Sequence, residues 1–276
     1  MQQACSPPAS LRFVAASLAL LLFMAFARIP LVCPSPAQGV QLAALGFCGI
    51  YVYNLCFFYG LQSINASRAS LIVALNPAVI GLASWLLFKE RFSGAKWLGI
   101  ALCLGGAATV IVSRNPQLLQ GGAYAWRGDL LIFGCVLGWG VYSLFSRGLN
   151  HSLGPLQTVT WSILLGTAML LVTTLATGRL TVEGLRAIHS PQVFSLLYLG
   201  VLGSALAYIG YYDGLRRIGA TRAGVFIALN PLTAVVCGAL LLGEPMTWPM
   251  LGGGGLILFG IYLCNKPLAR GRAMGI

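Results

Sequence analysis

Ala74-Leu75-Asn76-Pro77 returns as Ala228-Leu229-Asn230-Pro231, 154 positions further along the chain. The same offset, without a gap, lays Gly60-Leu61 on Gly214-Leu215, Ala66 on Ala220 and Arg68-Ala69 on Arg222-Ala223. It also lays Glu90 on Glu244, Gly99 on Gly253 and Gly106 on Gly260. From Leu45 to Gly106, 20 of 62 positions are identical, far above chance even for apolar text. A repeat much longer than about 50 residues is a duplicated half-molecule, not the unit of a solenoid.

Composition says where the two halves live. Hydrophobic residues make up 58% of the chain and charged residues 8%. A soluble domain carries roughly 25% charged residues, so this one could not cover its own core. The net charge of +12 does not indicate a nucleic-acid partner. Its Lys and Arg residues sit at the ends of apolar runs, not in one patch with interleaved aromatics. The partner is the lipid bilayer.

About 20 apolar residues cross a hydrocarbon core as a helix, and only helices or closed barrels can do so. Nine spans are predicted, near 10–27, 41–62, 69–88, 95–113, 128–147, 155–177, 193–213, 222–242 and 250–265. The polar break at 114–127, with Asn115-Pro116 and Gly121-Gly122, divides the chain into a first repeat at 1–113 and a second at 128–266. With the C-terminus inside, 11 of the 17 Lys and Arg residues face inward and 6 outward, which favours a cytoplasmic C-terminus. The expected location is a bacterial inner membrane, in multi-pass form. The first repeat has four spans and the second five; nothing matches 128–147. The expectation is therefore an all-α integral membrane protein, an inverted repeat of five-helix bundles whose first helix of ten is missing. A further span is expected to precede Gln2.

In the order and spacing of its motifs the chain resembles the EamA-type family of the drug/metabolite transporter superfamily. The resemblance rests on Gly128-Asp129 opening a span with Trp139, Tyr142 and Arg147. It rests also on the run from Tyr211 to Ala220, on the Asn230-Pro231 helix, and on Gly243-Glu244-Pro245 before a Gly-rich last span. The first repeat carries Lys89-Glu90-Arg91 at the equivalent place. The resemblance implies two inverted five-helix repeats and transport, often export, of small organic metabolites such as amino acids.

The candidate site residues come from the spans. Asn76-Pro77 and Asn230-Pro231 lie mid-span, with residue 77 roughly 13 Å into its helix at 1.5 Å per residue. Proline lacks an N–H, so the carbonyls of Val73 and Ile227 lose their helical partners. Asn76 and Asn230 beside these breaks are suited to a polar group of a solute, or to bonding a neighbouring helix. Tyr208 and Tyr212 share a helix face, and the repeat register pairs them with Asn54 and Phe58. Trp139 and Tyr142 share another face, and aromatics with polar tips suit an amphipathic solute. Asp213 lies at the end of a span and is a coupling candidate, although Arg216 and Arg217 follow within a turn. Asp129 reads as a helix N-cap, and Glu90 and Glu244 as loop-packing residues or gates. No metal site or cofactor is expected, because the His and Cys residues form no ligand motif. Gly134 and Gly138 form G-x-x-x-G, a packing face within the bundle or a homodimer seam.

Two other classes compete with a carrier. An intramembrane enzyme needs a reactive pair within the spans, and none stands out. A non-transporting membrane scaffold, or a truncated inactive carrier, is the other reading.

Overall fold

A computed structural model describes residues 7–90, 92–114, 125–178, 190–243 and 246–266. Residues 115–124 of the expected 114–127 linker, and Glu244, lie outside the described residues. Every element is helical: α1 (Pro7–Phe26), α2 (Pro36–Gly60), α3 (Ala66–Phe88), α4 (Gly94–Arg114), α5 (Ala125–Ser152), α6 (Pro155–Ala176), α7 (Gln192–Ile218), α8 (Ala220–Leu241) and α9 (Trp248–Asn265). Eight of these, α2 to α9, are long and apolar enough to cross a membrane. The ninth expected span, near 10–27, is helical as α1 (Pro7–Phe26, 20 residues), about 30 Å at 1.5 Å per residue, close to the thickness of the hydrocarbon core.

Helix ends follow local chemistry. Ser35 caps α2 in a reciprocal box with Gln38: its Oγ accepts from the Gln38 N–H, and Gln38 Oε1 accepts from the Ser35 N–H at 3.0 Å. Asn65 caps α3 by accepting from the Arg68 N–H at 2.8 Å. Helix α5 begins at Ala125, ahead of the expected position, so Asp129 lies inside the first turns and is not an N-cap. α3 and α8 end alike. Lys89 (φ 51°) and Gly243 (φ 67°), 154 positions apart, both adopt the left-handed C-cap conformation.

The packing obeys the sequence repeat. A Cβ on Gly99 would lie 2.6 Å from the Gly260 carbonyl oxygen, and one on Gly106 would lie 2.5 Å from that of Gly253. Under the 154-residue offset, Gly99 becomes Gly253 and Gly106 becomes Gly260, so the two contacts exchange. α4 and α9 therefore cross antiparallel with nearly touching backbones, as small residues permit in lipid. Gly46 meets Ser162 and Gly166 of α6, and Gly200 meets Arg12 and Ala16 of α1; this pair of contacts exchanges as well. Two hydrogen bonds join positions 154 apart, Cys103 Sγ to the Ile257 carbonyl and Thr167 Oγ1 to the Phe13 carbonyl. α1 thus corresponds to α6 and α4 to α9.

The G-x-x-x-G of α5 is used inside the chain. A Cβ on Gly138 would be 2.9 Å from the Cys48 carbonyl oxygen, and one on Gly134 would be 3.6 Å from Cys56 Sγ. Large side chains such as Phe26, Leu86, Leu87, Phe194, Leu240 and Leu241 are exposed, as a lipid-facing surface requires. Trp126 and Trp248 are exposed near the starts of α5 and α9, where interfacial tryptophans gather.

Candidate functional site

α2 and α7 are interrupted at equivalent places. Phe47–Val52 and Val201–Leu206 are π-helical turns, again 154 residues apart. A π turn displaces the backbone register, frees a carbonyl, and recurs at functional sites. In α2, Asn54 Nδ2 donates to the Ile50 carbonyl at 2.7 Å; in α7, Ser204 Oγ donates to the Leu199 carbonyl at 3.1 Å. Asn54 and Tyr208, two residues beyond each bulge, are repeat partners.

Around them lies an aromatic basin centred on Trp139 of α5. Its ring centroid is 6.0 Å from Tyr53, 5.5 Å from Tyr142, 5.3 Å from Tyr208 and 5.2 Å from Tyr211. Tyr212 stands 5.0 Å from Tyr142, and both are fully buried. The Tyr142 hydroxyl meets Ser162 Oγ at 2.9 Å, and Tyr211 meets Ser143 Oγ at 2.8 Å. Trp139 Nε1 and the Tyr212 hydroxyl are buried without a well-aligned hydrogen-bond partner. The four aromatic candidates, Trp139, Tyr142, Tyr208 and Tyr212, thus come together. Asn54 joins them through Arg12, whose Nη2 donates to Asn54 Oδ1 at 3.3 Å.

The two Asn-Pro breaks share a motif and differ in surroundings. Asn76 is buried, and its Nδ2 donates to the Val73 carbonyl at 2.8 Å, filling the bond that Pro77 removes. Asn76 Oδ1 has no partner. Asn230 and Pro231, after the 3-10 turn Phe226–Ala228, line a cavity of about 450 Å³. Tyr53, Phe57, Ser70, Val73 and Ile111 complete much of its wall, and Ala66, Ser67 and Arg114 also line it. Its size is within the range of small-molecule pockets, about 300–1,000 Å³. Tyr53 belongs to both cavity and basin.

The opposite end is closed. Arg147 Nη2 pairs with Glu90 Oε1 at 2.8 Å and donates to Ser84 Oγ at 3.2 Å. Glu90 Oε2 accepts from Thr221 Oγ1 at 3.0 Å, and the Phe88 ring lies under the guanidinium, 4.9 Å from centroid to Cζ. These contacts tie the end of α3 to α5 and to the start of α8. Ile80 packs against Gly224 and clusters with Leu144, Leu215 and Ala223 just above them. α3 and α8 thus touch at the Glu90 end and diverge at the Arg114 end. A second pair, Arg68 Nε to Asp129 Oδ1 at 2.7 Å, joins α3 to α5 at the cavity's end. Asp213 lies outside basin and cavity, half-exposed and paired with Arg217 at 2.7 Å.

Arg12, Tyr53 and Thr221 were not marked as site residues by sequence, and Glu90, expected as a loop-packing residue or gate, was not linked there to Arg147. Arg12 entered the charge count only as an outward-facing basic residue. The available signal was its place within an apolar run, where an arginine is costly. For the network, a basic residue in α5 and an acid beyond α3 have no fixed spacing to betray them.

An all-helical membrane bundle, duplicated in sequence and enclosing a cavity of metabolite size, is the build of a transporter. The chain belongs to the EamA-like transporter family, whose model matches residues 7–112 and 126–266. It is 25% identical over 269 residues to the uncharacterized transporter YyaM of Bacillus subtilis, covering 94% of this chain and 84% of that protein. An uncharacterized transporter of Archaeoglobus fulgidus is 27% identical over 225 residues, 81% of this chain and 76% of its own length. An uncharacterized protein of Pseudomonas aeruginosa is 30% identical over 257 residues, covering 90% and 82%. One crystal structure superposes with a TM-score of 0.79 at 19% identity, covering 93% of this chain and 87% of that one, a likeness of fold alone.

Proposed function

We propose that this membrane transporter is a carrier that exports small organic metabolites by alternating access between two inverted repeats. One observation carries the reading. The cavity wall combines first-repeat residues (Tyr53, Ser70, Ile111) with second-repeat residues (Asn230, Pro231, Val235), while the Glu90–Arg147–Thr221 contacts join α3, α5 and α8 away from it. The reciprocal contacts of α4 with α9 and of α1 with α6 support an exchange of open and closed ends, because equivalent parts could form the mirror-image state. On a cytoplasmic C-terminus in a bacterial inner membrane, which the distribution of Lys and Arg favours, the cavity faces outward and the Glu90–Arg147 network is the inner gate.

The test is counterflow of radiolabelled metabolite pools into proteoliposomes containing the full chain. Accumulation above that of empty vesicles is expected; none with any pool would overturn the carrier reading in favour of a scaffold. Asn230→Ala should insert normally and cut flux about 5- to 10-fold, the value of roughly 1 kcal/mol for a hydrogen bond to the solute. Wild-type flux would reduce Asn230 to a residue beside a kink. Asp213→Asn should leave the response of flux to an imposed proton gradient unchanged, because its carboxylate is at the rim and paired with Arg217. A lost gradient response would make Asp213 the coupling group.

A further inference from the structure

Arg12, near the start of α1, has no acidic partner among the described residues. It sits in the second turn of α1, and arginine stays protonated at any accessible pH. Among the described residues each acid is paired elsewhere: Glu90 with Arg147, Asp129 with Arg68, Asp213 with Arg217. Arg12 has a 3.3 Å hydrogen bond to the neutral Asn54 Oδ1 and the Phe13 ring at 4.7 Å. Its Nε is buried and has no acceptor. Intramembrane charges are costly, and those that persist mark solute or ion sites or find a counter-charge.

Among the described residues the surroundings add further donors and no negative charge. The indole Nε1–H of Trp139 is buried with no well-aligned acceptor, only the neighbouring Tyr211 hydroxyl off-line, and an indole can only donate. Tyr53 and Tyr208, the rings flanking Trp139, lie within electrostatic reach of Arg12. The Tyr212 hydroxyl, behind Tyr142, is a further buried polar group with only poorly aligned neighbours in Tyr142 and Ser146. The basin therefore offers a positive charge, N–H donors without well-aligned acceptors and broad aromatic faces.

We propose that the solute carries a carboxylate, held by Arg12, on an apolar or aromatic body packed against Trp139, Tyr53 and Tyr208. The inference rests on the carrier reading and narrows its substrate class. A carboxylate takes two parallel N–H bonds from a guanidinium and supplies the acceptors this basin lacks. An ammonium group meets no counter-charge among the described residues, so the site favours simple monocarboxylates over zwitterionic amino acids. Asn54 is the positioning residue: it holds the guanidinium from below, and its own orientation is set by the carbonyl that the π turn exposes.

The experiment measures equilibrium binding to the full chain in nanodiscs, with phenylacetate, indole-3-acetate and octanoate as probes. Each acid is compared with its own amide, which has nearly the same shape and no charge. At least one acid is expected to bind ten-fold or more tightly than its amide in the unaltered protein. Arg12→Gln should erase that preference while leaving amide binding within two-fold, and Arg12→Lys should restore part of it. If no acid outbinds its amide, or if Arg12→Gln weakens acid and amide equally, the proposal is overturned. The comparison in unaltered protein needs no variant to fold. Acid-selective binding without flux would count against the carrier reading and leave this site standing. Flux of phenethylamine with no acid preference would do the reverse.

Discussion

Arg147→Ala should open the closed end of the transporter. Arg147 is the hub there: it pairs with Glu90, donates to Ser84 and lies over Phe88, while Glu90 also receives the Thr221 hydroxyl. The charged side chains are 22% and 28% exposed, between a surface pair and a buried one. Surface pairs are worth about 0–1 kcal/mol, and removing one partner of a buried pair costs about 3–5 kcal/mol. A value of about 2 kcal/mol corresponds to roughly a 30-fold shift toward separation of α3 from α8. Hydrogen exchange in nanodiscs should then quicken in the peptide spanning residues 84–90 by about that factor, with residues 99–110 unchanged as an internal reference. Glu90→Gln keeps an acceptor for Thr221 and should give a smaller change. Unaltered exchange at 84–90 in Arg147→Ala would show that packing around Ile80 closes this end without the ion pair.

The helices and their halves were legible because lipid makes them so: hydrocarbon forces unbroken helices, and the 154-residue offset survives in both sequence and contacts. The aromatic cluster was legible too, since Trp139 and Tyr142, like Tyr208 and Tyr212, share helix faces at i+3 and i+4 spacing. The rest depended on distance in the fold. Asn76 and Asn230 sit in the same tetrapeptide, but Asn76 is buried and Asn230 faces a cavity. α5 packs along α3 around Val79 and Ile80, so Asn76 and Asn230 have different neighbours. The π turns carry no composition that distinguishes Phe47–Val52 from ordinary helix. Arg12 was visible as a residue and invisible as a problem, because its lack of an acid among the described residues depends on where Glu90, Asp129 and Asp213 go.

Gly106→Val should disable folding, whereas Gly105→Val, one position away on the same helix, should be silent. A Cβ at Gly106 would lie 2.5 Å from the Gly253 carbonyl oxygen and 2.9 Å from the Ile257 nitrogen. Those atoms are backbone of α9, so no rotamer change relieves the clash; the helices must separate along the whole crossing. Overpacking costs about 1–3 kcal/mol when side chains can adjust, and with backbone in the way about 3 kcal/mol or more is expected. At Gly105 a Cβ meets nothing within 4 Å, so only helix propensity changes, by a few tenths of a kcal/mol in favour of Val. Gly253→Val repeats the experiment from the other side, with its Cβ 2.8 Å from the Gly106 carbonyl oxygen. Monodispersity in mild detergent and the midpoint of thermal aggregation would read the effect. Equal behaviour of the 105 and 106 variants would mean that α4 and α9 do not pack this closely. A defect at 106 shared by 253 and absent at 105 would tie the stability of each half to the same close crossing. Because that crossing joins equivalent helices of the two repeats, an exchange of open and closed ends must pivot on it without pulling it apart.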